Sequence, residues 1–320
     1  MVIALLGAVI LIGMGSVFRH KFITAADFWS GLEKLVYFVL LPSLLVTGLA
    51  EADFALLEPG PIVLVLASSA LFSSLLAYGL RRPAAGHNGP AFTSVFQGIV
   101  RFNTYIGVTT AAALFGSDGI AIAALATAVL IPLVNLASTV ALAHHGHHKL
   151  RGRALLRAVF LNPLILACLI GLAANLIGSV PAVSSVLEMP IPAGVVQLLA
   201  AVLGLLGGAA LPIGLICVGA GLHGRLFPRE SLRPVLAAIL LRFLPVPAAT
   251  LGLCLLIGFS GPAAVVCVVF QALPTATSSY VFARRLGGDA ALMAQITAAQ
   301  TVLSGIALPA WILIALAVLL

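Results

Sequence analysis

Charge is scarce in this chain. Only 8% of its 320 residues are Asp, Glu, Lys or Arg, whereas a soluble domain typically carries about 25%. Hydrophobic residues make up 62% of the sequence. So few charged side chains cannot cover the surface of a water-soluble fold, which excludes a soluble single-domain protein and predicts a surface that faces lipid.

Several familiar site motifs are missing as well. The four cysteines all lie in apolar stretches without a Cys-x-x-Cys pair, which argues against a disulfide framework or a metal site. No Walker A lysine motif and no His-Glu-x-x-His occurs, so we do not expect an enzyme. The first apolar run has no basic residues before it, and we expect it to be a retained helix rather than a signal peptide.

Long apolar segments are what the sequence has in place of charge. A helix needs about 20 apolar residues to cross a bilayer. Ten segments qualify, at residues 2–18, 33–49, 61–80, 91–115, 119–143, 158–178, 197–222, 233–258, 262–284 and 290–319. We therefore predict an all-α polytopic membrane protein with ten transmembrane helices.

The basic residues follow this ten-helix plan. Of the sixteen lysines and arginines, all except Arg101 and Arg242 lie in or beside loops 1–2, 3–4, 5–6, 7–8 and 9–10. Because cytoplasmic loops are enriched in Lys and Arg, we predict a multi-pass protein of the inner (plasma) membrane with both termini outside the cytoplasm. The net charge of +7 then requires no nucleic-acid partner.

Short sequence matches recur at a nearly constant offset. Phe-Gln ending at Gln97 recurs as Phe-Gln ending at Gln271, and Leu-Pro ending at Pro42 recurs as Leu-Pro ending at Pro212. The two prolines are predicted to kink helices 2 and 7 at equivalent places and are candidate hinges. The glutamines lie inside helices 4 and 9, where an amide can bond across helices.

The matches keep the helix order, so the chain is predicted to be a tandem repeat. Helices 1–5 (residues 1–150) form the first copy and helices 6–10 (residues 151–320) the second. Because five is an odd number, the second copy must enter the membrane from the opposite side. Inverted repeats of this kind are a recurrent plan of secondary transporters.

Polar residues cluster in the middle of helices 4 and 9. Residues 101–107 of helix 4 and residues 274–280 of helix 9 combine Asn, Thr, Ser and Tyr with Arg101 in one cluster and Pro274 in the other. Polar groups at that depth require protein or a water-filled cavity, and proline removes a backbone donor, so both helices are predicted to be broken. The N-termini of half-helices carry partial positive charge and free N–H groups, which favour an anion.

Arg101 is the most informative single residue. A charge at the bilayer centre costs at least about 2.5–3.5 kcal/mol, so a partner is required. No Asp or Glu lies at comparable depth, which leaves either a carboxylate-containing substrate or the carbonyls that a broken helix frees. Arg242, about ten residues into helix 8, is expected to snorkel or to bond the backbone.

The same clusters resemble those of a known family. Residues 101–107 resemble the Asn-Pro-Asn-Thr-Tyr segment of helix 4 in the auxin efflux carrier family, and residues 271–285 resemble its ninth helix. Phe102 stands where that pattern has its proline. The resemblance implies a fold like the bile-acid sodium symporters, with helices 4 and 9 crossing, and a substrate site lined by Asn103, Thr104 and Pro274.

The resemblance also implies two domains with different roles. Helices 1, 2, 6 and 7 would form a scaffold and helices 3–5 and 8–10 a moving transport domain, and bacterial members carry organic acids such as malate or malonate. The resemblance and the polar clusters together give ten candidate substrate-binding residues. These are Gln97, Arg101, Asn103, Thr104, Tyr105, Gln271, Pro274, Thr275, Thr277 and Ser278.

Three functional hypotheses remain open. The leading one is an alternating-access carrier that exports or exchanges small organic anions. Such a carrier could assemble as a homodimer through its scaffold helices. The second is a sodium-coupled symporter, because unwound carbonyls and hydroxyls could bind sodium; no other cofactor is expected. The third, a non-transporting sensor or assembly subunit, would leave the duplicated polar clusters without a purpose.

Overall fold

The computed structural model describes residues 2–51, 59–86, 88–146, 163–178, 190–221, 231–276 and 278–320. In these ranges the chain is helical apart from short turns and short irregular segments, and no strand occurs in them. Within the same ranges, six helical stretches are long and apolar enough to cross a membrane: Ala26–Ala50, Pro59–Gly79, Gly89–His145, Gly194–Ala220, Leu232–Leu256 and Ala290–Leu319. The protein is therefore an all-α multi-pass membrane protein.

The individual helices are numbered in chain order. They are α1 (Val2–Val17), α2 (Ala26–Leu35), α3 (Leu41–Ala50), α4 (Pro59–Gly79), α5 (Arg81–Ala85), α6 (Gly89–Val100), α7 (Thr104–His145), α8 (Pro163–Gly178), α9 (Pro190–Ala220), α10 (Leu232–Phe243), α11 (Pro245–Leu256), α12 (Pro262–Gln271), α13 (Ser278–Leu286) and α14 (Ala290–Leu319). Within α7, Gly116 has φ 60° and ψ −134°, a break that only glycine adopts readily. It coincides with the turn predicted between helices 4 and 5.

The second predicted helix begins earlier than expected. Its apolar run starts at residue 33, but the helix starts at Ala26. The added turns are amphipathic rather than uniformly apolar, so a hydropathy criterion does not count them. Buried Trp29 anchors them, because its Nε1–H donates to the Ile23 carbonyl at 2.6 Å.

Pro42 and Pro212, the two candidate hinges, lie in different local settings. A π-helical turn, Val36–Leu40, directly precedes α3, and the Leu41 N–H donates to the Val36 carbonyl. This wider turn brings the chain to Pro42, which has no N–H to donate. Pro212 lies inside α9. Their role as hinges stays a prediction.

The chain folds into two compact units. The first contains the described parts of Met1–Leu57, Val108–Ala128 and Phe160–Ala220. In it α1 packs on α9, and α3 packs on both α8 and α9. Asn175 of α8 donates from Nδ2 to the Ala50 carbonyl at 2.9 Å, which supplies a partner for the C-terminal end of α3.

Glycines bring the helices of this first unit into backbone contact. A Cβ atom added at Gly219 of α9 would collide with the Ile12 carbonyl oxygen of α1. A Cβ atom at Gly15 of α1 would likewise collide with the Ile216 carbonyl oxygen of α9. Small residues at such contacts allow close helix packing in membranes, where van der Waals contact replaces the hydrophobic driving force.

The second unit contains the described parts of Glu58–Gly107, Val129–Val159 and Gly221–Leu320. Two of its helices are buried along nearly their whole length: α6 from Ala91 to Val100 and α12 from Ala263 to Gln271. A helix that is apolar on all sides belongs in an interior. The ends of α6 and α12 therefore lie in the core of this unit, and the candidate site is built on them.

Candidate functional site

Two interrupted helices define the site. The first interruption, residues 101–103, separates α6 from α7, and its backbone is extended at Arg101 (φ −80°, ψ 158°). The second, of which residues 272–276 are described, separates α12 from α13. The polar clusters that the sequence places inside helices 4 and 9 thus begin in non-helical backbone and continue into the first turns of α7 and α13.

The two interruptions contact each other within the second unit. The backbone N–H of Asn103 donates to the Pro274 carbonyl at 2.8 Å. Phe102 packs at a tilt on Phe270, with ring centroids 5.7 Å apart. We call this meeting point, residues 101–103 with 272–276, the junction.

The first interruption forms without a proline. Asn103 caps the N-terminus of α7, because its Oδ1 accepts from the Ile106 N–H at 3.2 Å. Its own N–H leaves the helix ladder for Pro274. The break is therefore specified by an N-cap and a contact to the other helix, although Phe102 replaces the proline of the family pattern.

Arg242 of α10 donates hydrogen bonds to the C-terminal ends of both α6 and α12. Its Nε donates to the Leu273 carbonyl at 2.7 Å, its Nη1 to the Ile99 carbonyl at 2.9 Å, and its Nη2 to the Phe270 carbonyl at 3.0 Å. The side chain is fully buried. The expectation that Arg242 snorkels or bonds the backbone is thereby decided in favour of the backbone.

Gln300 of α14 makes a second set of links. Its Nε2 donates to the Gly98 and Ala238 carbonyls, both at 2.9 Å, and its Oε1 accepts from the Thr275 N–H at 2.9 Å. Thr275 also donates from Oγ1 to the Gln97 carbonyl at 3.1 Å. Carbonyls freed at the end of α6 are thus bonded by side chains of α10 and α14. The Gln97 carbonyl accepts both from Thr275 and from the backbone N–H of Arg101.

Arg101 lies beside the N-terminus of α13. Its Nη2 donates to the Ser278 hydroxyl at 3.0 Å, and its guanidinium carbon lies 4.1 Å from the centroid of the Phe282 ring. The side chain is only 6% exposed. Ser278 is the first residue of α13, so a guanidinium and the positive end of a helix dipole lie side by side.

Three buried amides at or beside the junction retain unused polar atoms. Both the Nε2 and the Oε1 of Gln97, the Nδ2 of Asn103 and the Nε2 of Gln271 have no hydrogen-bond partner within the described part of the chain. All three side chains are at most 2% exposed. A buried polar atom without a partner is costly, and a ligand is one of its few physical explanations.

The other predicted site residues occupy varied positions. Thr104 and Tyr105 form the first turn of α7 and are half-buried. Pro274 is buried and contributes the carbonyl that Asn103 bonds. Thr277 lies outside the described residues.

Gln300 and Arg242 are the residues that sequence reasoning undervalued. Neither lies in the polar clusters of helices 4 and 9. Arg242 is the lone charge in the middle of an apolar helix, and Gln300 lies among Thr297, Thr301 and Ser304 of helix 10. A lone arginine in a predicted helix with no acid at comparable depth was the available signal, because such a charge must find carbonyls or a ligand.

Comparison with known proteins identifies the family. A model described as "Membrane transport protein" matches residues 148–312, slightly more than half of the chain. This chain belongs to that family. It is the family of the auxin efflux carriers, as the residues around both interruptions predicted.

A second comparison covers the chain almost end to end. A protein of Methanothermobacter thermautotrophicus described as an uncharacterized transporter is 26% identical over 310 residues, which are 96% of this chain and 95% of that protein. The match includes the first half of the chain, which the family model leaves out. Family and relative together make this chain a membrane transporter.

Proposed function

We propose that this transporter carries small organic anions, carboxylates above all, by alternating access, and that it exports or exchanges them. The observation that carries the proposal is the composition of the junction. A buried guanidinium, the N-termini of α7 and α13 and three amides with unused polar atoms belong to one compact unit. The guanidinium and the two helix N-termini favour a negative ligand.

A carboxylate satisfies the chemistry of this group of donors. Guanidinium groups recognise carboxylates by paired hydrogen bonds, and Arg101 is held on Ser278 and Phe282 at the N-terminus of α13. The amide nitrogens of Asn103 and Gln271 are further donors.

The proposal includes an architecture and an orientation. We infer ten membrane helices in two inverted repeats, a scaffold from helices 1, 2, 6 and 7, and a moving domain that contains the junction. The division of the chain into two compact units agrees with this assignment for α1–α3, α8 and α9, which lie in the first unit, and departs from it for Val108–Ala128 of α7, which the first unit also contains. The distribution of basic loops supports termini outside the cytoplasm.

The direct test is uptake into proteoliposomes. Purified protein is reconstituted, and accumulation of labelled malonate and malate is measured against a neutral sugar of similar size. Exchange is measured by loading the vesicles with the unlabelled acid. We expect carboxylate transport in one or both formats and no transport of the sugar.

Matched arginine variants locate the anion. Arg101→Ala removes the buried guanidinium, and Arg284→Ala removes an exposed one from α13. Loss of one charge-assisted contact lowers affinity by about tenfold or more, equivalent to ~1.4 kcal/mol. We expect this loss for Arg101→Ala and near wild-type uptake for Arg284→Ala; intact carboxylate transport in Arg101→Ala would remove the proposed anion anchor.

Substitutions in each interruption test the junction itself. Asn103→Ala deletes the cap and the free amide of the first interruption, and Thr275→Ala deletes the hydroxyl that bonds the Gln97 carbonyl. We expect carboxylate uptake to fall in both variants. If both transport like wild type, the binding site lies elsewhere.

A sodium-coupled symporter is the second candidate function. Carbonyls of unwound segments are the groups that bind sodium in such transporters, and the helix ends at both interruptions have carbonyls without a partner inside their own helix. Imposing an inward sodium gradient and then replacing sodium by choline separates the two mechanisms, because only the symporter loses uptake in choline.

A further inference from the structure

The carbonyl ends of α6 and α12 place partial negative charge in the interior of the protein, and this charge requires a positive partner. The last four carbonyls of a helix have no partner inside that helix, and together they carry a partial negative charge. Here two such ends lie buried in one unit. In transporters with discontinuous helices, a bound sodium ion is a common solution.

In this chain a side chain already occupies that position. Arg242 directs three N–H groups of one planar guanidinium to three carbonyls, one at the end of α6 (Ile99), one at the end of α12 (Phe270) and one in the second interruption (Leu273). The distances of 2.7–3.0 Å are those of full hydrogen bonds. The guanidinium charge is permanent under physiological conditions.

We propose that Arg242 is the positioning residue of the junction, a built-in cation that joins the carbonyl ends of both interrupted helices and takes the place of an exchangeable metal ion there. This inference rests on the proposed function, because it assigns the residue that holds the carboxylate site in shape. Arg242 bonds the backbone of the two segments that lead into Asn103 and Pro274. It is not itself a substrate ligand.

The geometry explains why sodium would not share this position. The Ile99, Phe270 and Leu273 oxygens each accept an N–H, so fewer lone pairs remain for a metal. A second positive charge within a few ångströms of the guanidinium would be repelled in a low-dielectric interior. Gln300 bonds the adjacent Gly98 carbonyl and removes a further oxygen.

The planar guanidinium of arginine can reach all three carbonyls at once, and a lysine ammonium cannot. Three carbonyls from three different segments are reached by Nε, Nη1 and Nη2, which point in fixed directions. Lysine would supply a point charge with rotatable donors on a single nitrogen. Arg242→Lys should therefore restore the charge but only part of the alignment.

The experiment uses the purified full chain in detergent and in proteoliposomes. Arg242→Ala opens a guanidinium-sized space beside the three carbonyls, Arg242→Lys keeps the charge, and Arg233→Ala removes an exposed arginine from the same helix. Thermal unfolding is measured without any carboxylate in sodium, potassium and choline chloride at equal ionic strength, and then with millimolar guanidinium chloride. Malonate affinity is measured under the same conditions.

The expected results form a distinctive pattern. Wild type and Arg233→Ala show the same unfolding midpoint in all three salts. Arg242→Ala unfolds at a lower temperature and binds malonate at least about tenfold more weakly, and guanidinium ion restores part of both properties. Arg242→Lys lies between wild type and Arg242→Ala, which a residue that merely fills volume would not produce.

Two outcomes overturn the proposal. One is a specific sodium stabilisation of the wild type, which would show that the junction still contains a metal site. The other is an Arg242→Ala protein that guanidinium ion does not rescue and that Arg242→Lys does not improve. If Arg242→Ala fails to fold, the wild-type salt series and Arg242→Lys decide the question.

The same data keep this inference separate from the proposed function. Salt dependence of unfolding is measured without substrate, so it reports on Arg242 even if no carboxylate is transported. Conversely, sodium-stabilised wild type that transports carboxylate would refute the role of Arg242 and leave the carrier function standing.

Discussion

Gln300 and Gln97 provide a sharp test, because the same substitution should have opposite effects on stability. Both side chains are 0% exposed and belong to the second unit. Gln300 is fully engaged at the junction, through the Gly98 carbonyl, the Ala238 carbonyl and the Thr275 N–H. The amide of Gln97 has no partner within the described ranges. Each is replaced by Leu, which has similar volume and no polar atom.

The magnitude for Gln300→Leu follows from what is left unpaired. Ala238 lies inside α10 and keeps its helical bond. The Gly98 carbonyl and the Thr275 N–H lose a partner. An orphaned buried group costs about 1–3 kcal/mol, while interhelical bonds in membranes average only about 0.6 kcal/mol. We therefore expect a loss of about 2–4 kcal/mol in the free energy of unfolding.

Gln97→Leu should act in the opposite direction. Its backbone carbonyl continues to accept from Thr275, because the substitution changes only the side chain. Removing a buried amide without partners should leave the free energy of unfolding unchanged or raise it by about 1 kcal/mol. The same variant should bind malonate more weakly, since the proposed ligand loses a polar contact.

Equilibrium unfolding in mixed micelles, followed by tryptophan fluorescence, gives both free energies. Malonate affinity measured on the same samples tests the expected weaker binding of Gln97→Leu. A Gln300→Leu protein as stable as wild type would contradict the hydrogen bonds assigned at the junction. A Gln97→Leu protein that is strongly destabilised would contradict the assignment of its amide to a ligand.

Two further predictions concern packing and orientation. Gly219→Ala places a methyl group against the Ile12 carbonyl and should cost about 3 kcal/mol of unfolding free energy, whereas Gly208→Ala, which meets nothing within 4 Å, should be neutral or slightly stabilising in the same assay. Exposed Ser117→Cys should react with an impermeant maleimide on intact cells, and exposed Arg82→Cys only after permeabilisation. Background is low because all four native cysteines are buried; labelling with the reverse sidedness would overturn the proposed topology.

Much of the site could be predicted because polar residues in an apolar helix are conspicuous. Arg101, Asn103 and Pro274 stand out against their neighbours, and the structure interrupts the helices at these residues. The break at residues 101–103 was harder to explain from sequence. It rests on the bond from the Asn103 N–H to the Pro274 carbonyl, which joins positions far apart in the chain.

Arg242 and Gln300 show where sequence reasoning stops. A charged or amide side chain in a largely apolar helix indicates that some partner exists, because an unpaired charge or amide is costly there. It does not indicate which partner. The carbonyls that these two side chains bond come from α6, α10, α12 and the second interruption, and no local pattern encodes those distances.

The sequence by itself determined that this chain is a helical membrane protein and that polar residues cluster in the middle of helices 4 and 9. Composition and local residue types suffice for this, because the bilayer excludes charge and unsatisfied backbone. Only the tertiary structure decided which polar groups are used up in holding the junction and which keep unused atoms. Gln300 and Gln97 look alike in the sequence, and they differ only in which backbone groups the folded chain brings within 3 Å of the Gln300 amide.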